Sequence, residues 1–167
     1  PVLGFGRALS LRGTLGGCYA AAKAAGSGLA RALRDGATGS RPTCLVGISL
    51  GARAIWHALE LLAALPDGEG HGLVQDVLFL AAPVTCNPAR WEEVSAVVSG
   101  RLVNAYAPED TQLASLYRND HLLSTGCCGV GPVACASVEN YDTSAHVVCG
   151  AAYHFAAASV LEAVDFV

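Results

Sequence analysis

The chain reads Thr43-Cys44-Leu45-Val46-Gly47-Ile48-Ser49-Leu50-Gly51 and continues into an amphipathic stretch at 52–65. The apolar first half of this segment predicts a buried strand, and the spacing of apolar residues after it predicts a helix. A strand and a helix joined by G-x-S-x-G form the sharp turn of a nucleophile elbow. Small residues at Gly47 and Gly51 then allow the two elements to approach closely. We therefore expect Ser49 to stand on such a turn.

The turn gives two of its residues a chemical role. The hydroxyl of Ser49 would be exposed at the carboxyl edge of the sheet. The backbone N–H of Leu50 would lie at the positive end of the helix dipole, where it can stabilise an oxyanion. The alternative interpretation is a tight connection whose serine only caps the helix, because serine is a common N-cap. The motif predicts the geometry of a serine nucleophile, and activity is a separate hypothesis.

Strands and helices alternate along the whole chain. The pattern predicts loops at 1–17 and 121–135, strands at 43–46, 76–82, 101–107 and 138–141, and helices at 19–34, 52–65, 89–98, 111–117 and 151–164. This alternation is typical of the α/β class, with a mostly parallel sheet and helices on both faces. The composition, 53% hydrophobic and 14% charged, agrees with a sheet covered on both sides. Residues 1–167 are expected to form a single domain.

Composition and charge exclude several classes of function. The net charge is −4 and no basic cluster is present, which argues against nucleic-acid binding. Seven cysteines without a C-x-x-C pair favour neither a zinc site nor a disulfide framework, so we expect an intracellular, reducing compartment. No stretch reaches the roughly 18 uninterrupted apolar residues of a membrane span. The start at Pro1 and the lack of methionine indicate a piece of a longer polypeptide.

Candidate partners for Ser49 follow the later strands. Asp110 comes shortly after the third predicted strand, where a carboxylate can orient a histidine ring, although an N-cap of the next helix is the alternative. Two histidines come after the last strand, His146 in the connection that follows it and His154 in the first turn of the terminal helix. The order serine, acid, histidine is that of α/β-hydrolases. His57 is interpreted as a packing or surface residue, because it lies on the same rigid helix as Ser49.

Several blocks of the sequence resemble a known family. They are the Arg-Pro-Thr-x-Leu-Val-Gly-x-Ser-Leu-Gly-Ala-Arg segment at 41–53, Ala-Pro-Val at 82–84, Val-Ser-Gly-Arg-Leu-Val-Asn at 98–104 and Val-Glu-Asn-x-Asp at 138–142. The chain resembles the transmembrane and coiled-coil domain-containing hydrolase-like proteins, a branch of the α/β-hydrolases. The resemblance implies a partial α/β-hydrolase fold with the early strands missing, with Ser49 as nucleophile and Asp110 as acid. It also implies that the loop carrying a second oxyanion donor precedes Pro1.

The third member of the triad departs from the family pattern. Family members carry a Gly-His pair followed by a tyrosine, whereas this chain reads Cys149-Gly150-Ala151-Ala152-Tyr153. His154 lies three residues beyond Ala151, on a neighbouring position of the same helix face. Either His154 or His146 would then have to act as the base.

Two hypotheses of different classes follow. The first is a serine hydrolase, esterase- or lipase-like, that acts on an apolar ester or lipid and needs no metal or organic cofactor. The second is a catalytically inactive module that serves as a structural or partner-binding subunit. Its partners would be other protein chains or the remainder of a longer chain, and membrane association would come through segments outside this chain.

Overall fold

Four parallel strands form one sheet in the computed structural model, which describes residues 3–39, 41–120, 126–147 and 153–166. The strands are β1 (Thr43–Ile48), β2 (Val74–Leu80), β3 (Leu102–Tyr106) and β4 (Glu139–Asp142), and they lie in the order β1-β2-β3-β4. Each strand pairs with the next one along the chain, so every connection is a crossover. The predicted α/β class is confirmed.

The described ranges contain five α-helices: α1 (Leu3–Arg34), α2 (Leu50–Ala63), α3 (Pro88–Ser95), α4 (Thr111–Asp120) and α5 (Tyr153–Ala163). Helices α2, α3 and α4 connect consecutive strands, whereas α1 precedes β1 and α5 follows β4. The loop predicted at 1–17 is wrong from Leu3 onward, since α1 begins there. Each glycine costs a helix only about 1 kcal/mol, which its neighbours can offset. Residues 121–125 of the other predicted loop lie outside the described residues, as do the first two residues of the predicted terminal helix. Within the described ranges, none of the helices combines the length and apolar character needed to span a membrane.

The two faces of the sheet are covered by different helices. Val77 and Phe79 of β2 pack into the core beneath α1, α2 and α3. Leu78 and Leu80, which point to the other face, pack with residues of α4 and α5. The expectation of a sheet covered on both faces therefore holds at β2. At the edge strand β1, Val46 on the second face is 44% exposed.

An aromatic cluster and one carboxylate join α2 to α3. The rings of Trp56 and Trp91 lie 4.8 Å apart between centroids. Glu60 accepts hydrogen bonds from Trp56 Nε1 at 2.8 Å and from Arg90 Nη2 at 2.7 Å, and its second oxygen lies 2.8 Å from His57 Nδ1. His57 thus has the packing role that its position on α2 predicts.

We expect Glu60→Gln to lower the free energy of unfolding at neutral pH. We also expect the free energy of unfolding of this variant to fall less in acid than that of the wild type. Burial by itself raises the pKa of Glu60, but the hydrogen bonds from His57, Arg90 and Trp56 lower it to about 2 from an ordinary 4.5. The stabilisation is therefore complete above about pH 4.5 and is lost as the pH falls toward 2, because the unfolded chain takes up the proton first. Its size is roughly 2 to 3 kcal/mol.

Urea unfolding at pH 7 and pH 3 measures this difference. The wild-type and Glu60→Gln curves should differ by about 2 kcal/mol at pH 7 and converge in acid. Glu93→Gln is the control, because Glu93 bonds to the same Arg90 but is exposed. Equal effects of the two substitutions at pH 7 would contradict the prediction.

Candidate active site

Ser49 occupies a strained turn between β1 and α2. Its φ is 53° and its ψ is −117°, a conformation that residues other than glycine rarely adopt. The backbone is held by hydrogen bonds from Ser49 N to Leu80 O at 2.9 Å and from Arg53 N to Ser49 O at 3.1 Å. The Ser49 side chain makes no capping hydrogen bond and is half-buried. A purely capping role for this serine is therefore not supported.

The two glycines of the motif differ in what they permit. A Cβ on Gly47 would lie 2.6 Å from the Ala52 Cα, 2.7 Å from the Ala52 nitrogen and 2.8 Å from the Ile55 Cδ1. A Cβ on Gly51 would meet no atom within 4 Å. The expectation that both glycines allow the close approach is wrong for Gly51, because the first turn of α2 faces open space there. Only Gly47 brings β1 and α2 together.

Asp110 lies at the same edge of the sheet, after β3. Its side chain is 1% exposed. One oxygen, Oδ1, accepts a hydrogen bond from Leu113 N at 2.9 Å, so Asp110 caps α4. The other oxygen, Oδ2, is buried and has no hydrogen-bond partner within the described ranges. Asp110 therefore caps α4, and its second oxygen, which has no partner in the part of the chain that the structure describes, can accept a further hydrogen bond.

The start of α5 is anchored close to Asp110. Tyr153 is fully buried, and its hydroxyl lies 2.8 Å from Thr143 Oγ1, which donates to Tyr106 O at 2.9 Å. Burial, reinforced by the negative charges of Asp110 and Asp142, raises the pKa of Tyr153 to about 12. The phenol therefore stays neutral and donates to Thr143. This contact fixes where α5 begins.

The two candidate bases have different surroundings. His154 follows Tyr153 in the first turn of α5, but its side chain lies outside the described part of the chain, as does Ala151. His146 is exposed, with its Nε2 3.2 Å from the Tyr141 hydroxyl of the edge strand β4. Among the described residues, no hydrogen bond links His146 to Ser49 or to Asp110. Ser49 and Asp110 thus share an edge of the sheet, and His146 is held beside β4.

Leu50 begins α2 immediately after the strained turn. Its N–H belongs to the first turn of the helix, where backbone donors have no intrahelical acceptor. The positive end of the α2 dipole therefore lies beside Ser49, as the motif predicts. Whether this N–H acts as an oxyanion donor stays a prediction.

Two asparagines of the family-like blocks have a structural role. Asn104 is fully buried, and its Nδ2 donates to Cys128 O and Gly131 O, both at 3.1 Å. Asn140 on β4 exchanges two hydrogen bonds with the backbone of Val133. Together they hold the segment at 128–133 against β3 and β4. The two asparagines therefore support the scaffold beside β3 and β4.

Arg53 is the residue near Ser49 whose importance sequence reasoning missed. Its Nη1 donates to Pro83 O, and its guanidinium carbon lies 4.1 Å from the centroid of the Tyr19 ring. The only sequence signal was its place at the end of the block at 41–53. The partners are distant in the chain, so the pattern around Arg53 gave no indication of them.

Comparisons with known proteins show which family the chain matches. The family described as Protein of unknown function (DUF726) matches residues 11–167. The transmembrane and coiled-coil domain-containing protein STS1 of Oryza sativa is 41% identical over 138 residues, which are 83% of this chain and 20% of that protein. The uncharacterized membrane protein F35D11.3 of Caenorhabditis elegans is 39% identical over 136 residues, 80% of this chain and 21% of that protein.

A third relative has a name that indicates a chemistry. The protein named Probable lipase MIL1 of Saccharomyces cerevisiae is 38% identical over 80 residues, 48% of this chain and 7% of that protein. The chain spans about a fifth of the length of the first two relatives. No solved structure matches it. The resemblance to transmembrane and coiled-coil domain-containing proteins is confirmed by these names, while the hydrolase assignment stays a prediction.

Proposed function

Because the chain belongs to the DUF726 family of proteins of unknown function, which matches residues 11–167, we propose its activity from its own site: a serine hydrolase that cleaves carboxylic esters. The observation that carries the proposal is the pair of free oxygens at one edge of the sheet. The hydroxyl of Ser49 lies on a strained turn and makes no capping hydrogen bond to α2. Asp110 has a buried carboxylate oxygen without a partner among the described residues. Strain of this kind is typical of functional sites.

The reaction would proceed through an acyl-enzyme. Ser49 Oγ attacks the ester carbonyl as its proton passes to the imidazole of His154, and Asp110 Oδ2 accepts a hydrogen bond from the other ring nitrogen. The Leu50 N–H donates to the oxyanion that forms. Collapse of this intermediate releases the alcohol, which takes the proton from the imidazole. Water then attacks the acyl carbonyl as its proton passes to the imidazole, the bond to Ser49 Oγ breaks, and the carboxylic acid leaves while the imidazole returns the proton to Ser49 Oγ.

His154 is preferred to His146 as the base. Tyr153, its neighbour, is anchored through Thr143 to Tyr106 O at the end of β3, and the negative charge of Asp110 acts on its phenol, so α5 begins on the side of Asp110. His146 instead contacts Tyr141 on the far edge strand. Three strand spacings of about 4.8 Å separate β1 from β4, which exceeds the reach of an imidazole held on β4.

The substrate class is an apolar ester, with a lipid as the specific case. The name of the yeast relative, which includes the word lipase, supports this choice. The names of the rice and nematode relatives, which include the words transmembrane and membrane, support association with a membrane. An apolar ester would be available at such a surface.

A fluorophosphonate probe tests the proposal, since it forms an adduct with an activated serine. We expect the wild-type chain to be labelled at Ser49 and Ser49→Ala to be unlabelled. Ser95→Ala is the matched control, because the Ser95 hydroxyl already donates a hydrogen bond to Glu92 O at 2.9 Å. His154→Ala should slow labelling by at least about 100-fold, and His146→Ala should not.

The outcome decides between the two hypotheses. An unlabelled Ser49 in the folded wild-type chain would overturn the hydrolase and favour the inactive, partner-binding module. The uncovered face of β1, where Val46 is 44% exposed, is the observation that favours that alternative. Slower labelling of His146→Ala than of His154→Ala would exchange the roles of the two histidines and leave Ser49 as nucleophile.

A further inference from the structure

Arg53 joins three elements around the strained turn. Its backbone N–H donates to Ser49 O at 3.1 Å within α2. Its Nη1 donates to Pro83 O, in the segment that follows β2. Its guanidinium lies over the ring of Tyr19 on α1, 4.1 Å from the centroid. No other described arginine connects the turn at Ser49 to two separate elements.

The hydrogen bonding of the Arg53 side chain is incomplete, which indicates that a contribution to stability is not the whole reason for an arginine at this position. The Nε atom is buried and has no hydrogen-bond partner within the part of the chain that the structure describes. A buried donor without a partner opposes folding, and a shorter apolar side chain would avoid that cost. We therefore look for a role of the Arg53 guanidinium that a shorter apolar side chain could not have.

The turn itself supplies a role. A residue at φ 53° and ψ −117° keeps that conformation only when its surroundings oppose relaxation. Leu80 O holds the nitrogen of Ser49 from the β2 side. Arg53 holds the first turn of α2 through its side chain, because its Nη1 donates to Pro83 O while its guanidinium lies over the ring of Tyr19 on α1. Together these contacts limit rotation of the turn.

We infer that Arg53 is a positioning residue, which keeps the Ser49 hydroxyl and the Leu50 N–H in their orientations by tying α2 to the Pro83 segment and to α1. The kinetic part of this inference rests on the proposed hydrolase function, whereas the structural part does not. Arg53 need not touch the substrate. Its effect is on the geometry of the nucleophile, and a misplacement of about 1 Å can lower a rate about 100-fold.

The experiment compares two arginines that tie elements together at opposite edges of the sheet. Arg101 precedes β3 and bonds to Glu139, Val164 O and Asp165 O, far from the turn. Arg53→Met and Arg101→Met are each measured for the maximal rate and half-saturation of Ser49 labelling by a fluorophosphonate. The hydrogen exchange of the Ser49 amide is measured in the same variants. Arg53→Lys keeps the positive charge but replaces the planar guanidinium with an ammonium group.

We expect Arg53→Met to lower the maximal labelling rate about 10- to 100-fold with little change in half-saturation, and to speed exchange of the Ser49 amide. Arg53→Lys should recover only part of the rate, since an ammonium lacks the planar donor geometry of a guanidinium. Arg101→Met should lower the unfolding midpoint while leaving the labelling rate at its wild-type value. Exchange of the Ser49 amide is compared with that of the β3 amides in the same variant, because a global loss of stability speeds both, whereas local opening of the turn speeds only Ser49.

The failure of each idea is distinguishable. If the wild type is unlabelled, the hydrolase proposal fails, and the exchange of the Ser49 amide alone decides the role of Arg53. If Arg53→Met matches Arg101→Met in exchange, and in labelling where labelling occurs, the positioning role is overturned. Labelling of the wild type with an unchanged rate in Arg53→Met would overturn the inference and leave the hydrolase in place.

Discussion

Asp110→Asn should lower kcat for hydrolysis of an apolar ester about 10⁴-fold while the chain remains folded. Asparagine keeps the oxygen that accepts from Leu113 N, so the cap of α4 survives. It replaces the free oxygen with an amide donor, which cannot accept the ring N–H of a histidine and favours the wrong tautomer. Ester hydrolysis and fluorophosphonate labelling both measure the loss.

Two companion substitutions separate catalysis from capping. Asp110→Ala removes both oxygens and should cost about 1 kcal/mol of stability in addition to activity. Asp142→Asn changes an exposed carboxylate at the end of β4, which accepts from Ser144 N at 2.9 Å, and should leave kcat unchanged. Equal kcat for Asp110→Asn and the wild type would reduce Asp110 to a helix cap.

Gly47→Ala should destabilise the fold by roughly 3 kcal/mol. The added carbon would lie 2.6 Å from the Ala52 Cα, a backbone atom that cannot rotate away. Strand β1 and helix α2 must then separate, which also disturbs the turn at Ser49. The midpoint and slope of urea unfolding measure the change.

Gly51→Ala provides the matched control, four residues away in the same motif. Its Cβ would meet nothing within 4 Å, and the position is exposed in the first turn of α2. Because alanine favours helix over glycine, we expect a gain of up to about 1 kcal/mol. Similar losses at the two glycines would contradict the assigned packing of Gly47.

The elements of the sheet could be predicted because their signal is local. The second half of strand β2 is a continuous apolar run, and its residues Val77, Leu78, Phe79 and Leu80 are all fully buried. The start of α1 could not, since glycines at 4, 6, 13, 16 and 17 mimic a loop in composition. A helix tolerates them where its hydrogen bonds continue, and no short window of sequence reports that.

The candidate site was predicted unevenly for the same reason. Ser49 lies on a turn that its immediate neighbours specify, so the motif located it. Asp110 was placed at the correct edge because parallel strands bring their carboxyl ends together. One Asp110 oxygen caps α4 and the other is buried without a partner among the described residues. This difference depends on which residues pack over the carboxylate, and the spacing of residues in the sequence does not predict that packing.

By itself, the sequence determined the strand, the turn and the helix around Ser49, because apolar periodicity and one obligatory glycine act within a few residues. Only the tertiary structure decided that one Asp110 oxygen has no partner among the described residues and that Arg53 reaches Pro83, 30 residues away. Such contacts depend on how the elements pack against one another, since each joins or buries groups from separate segments.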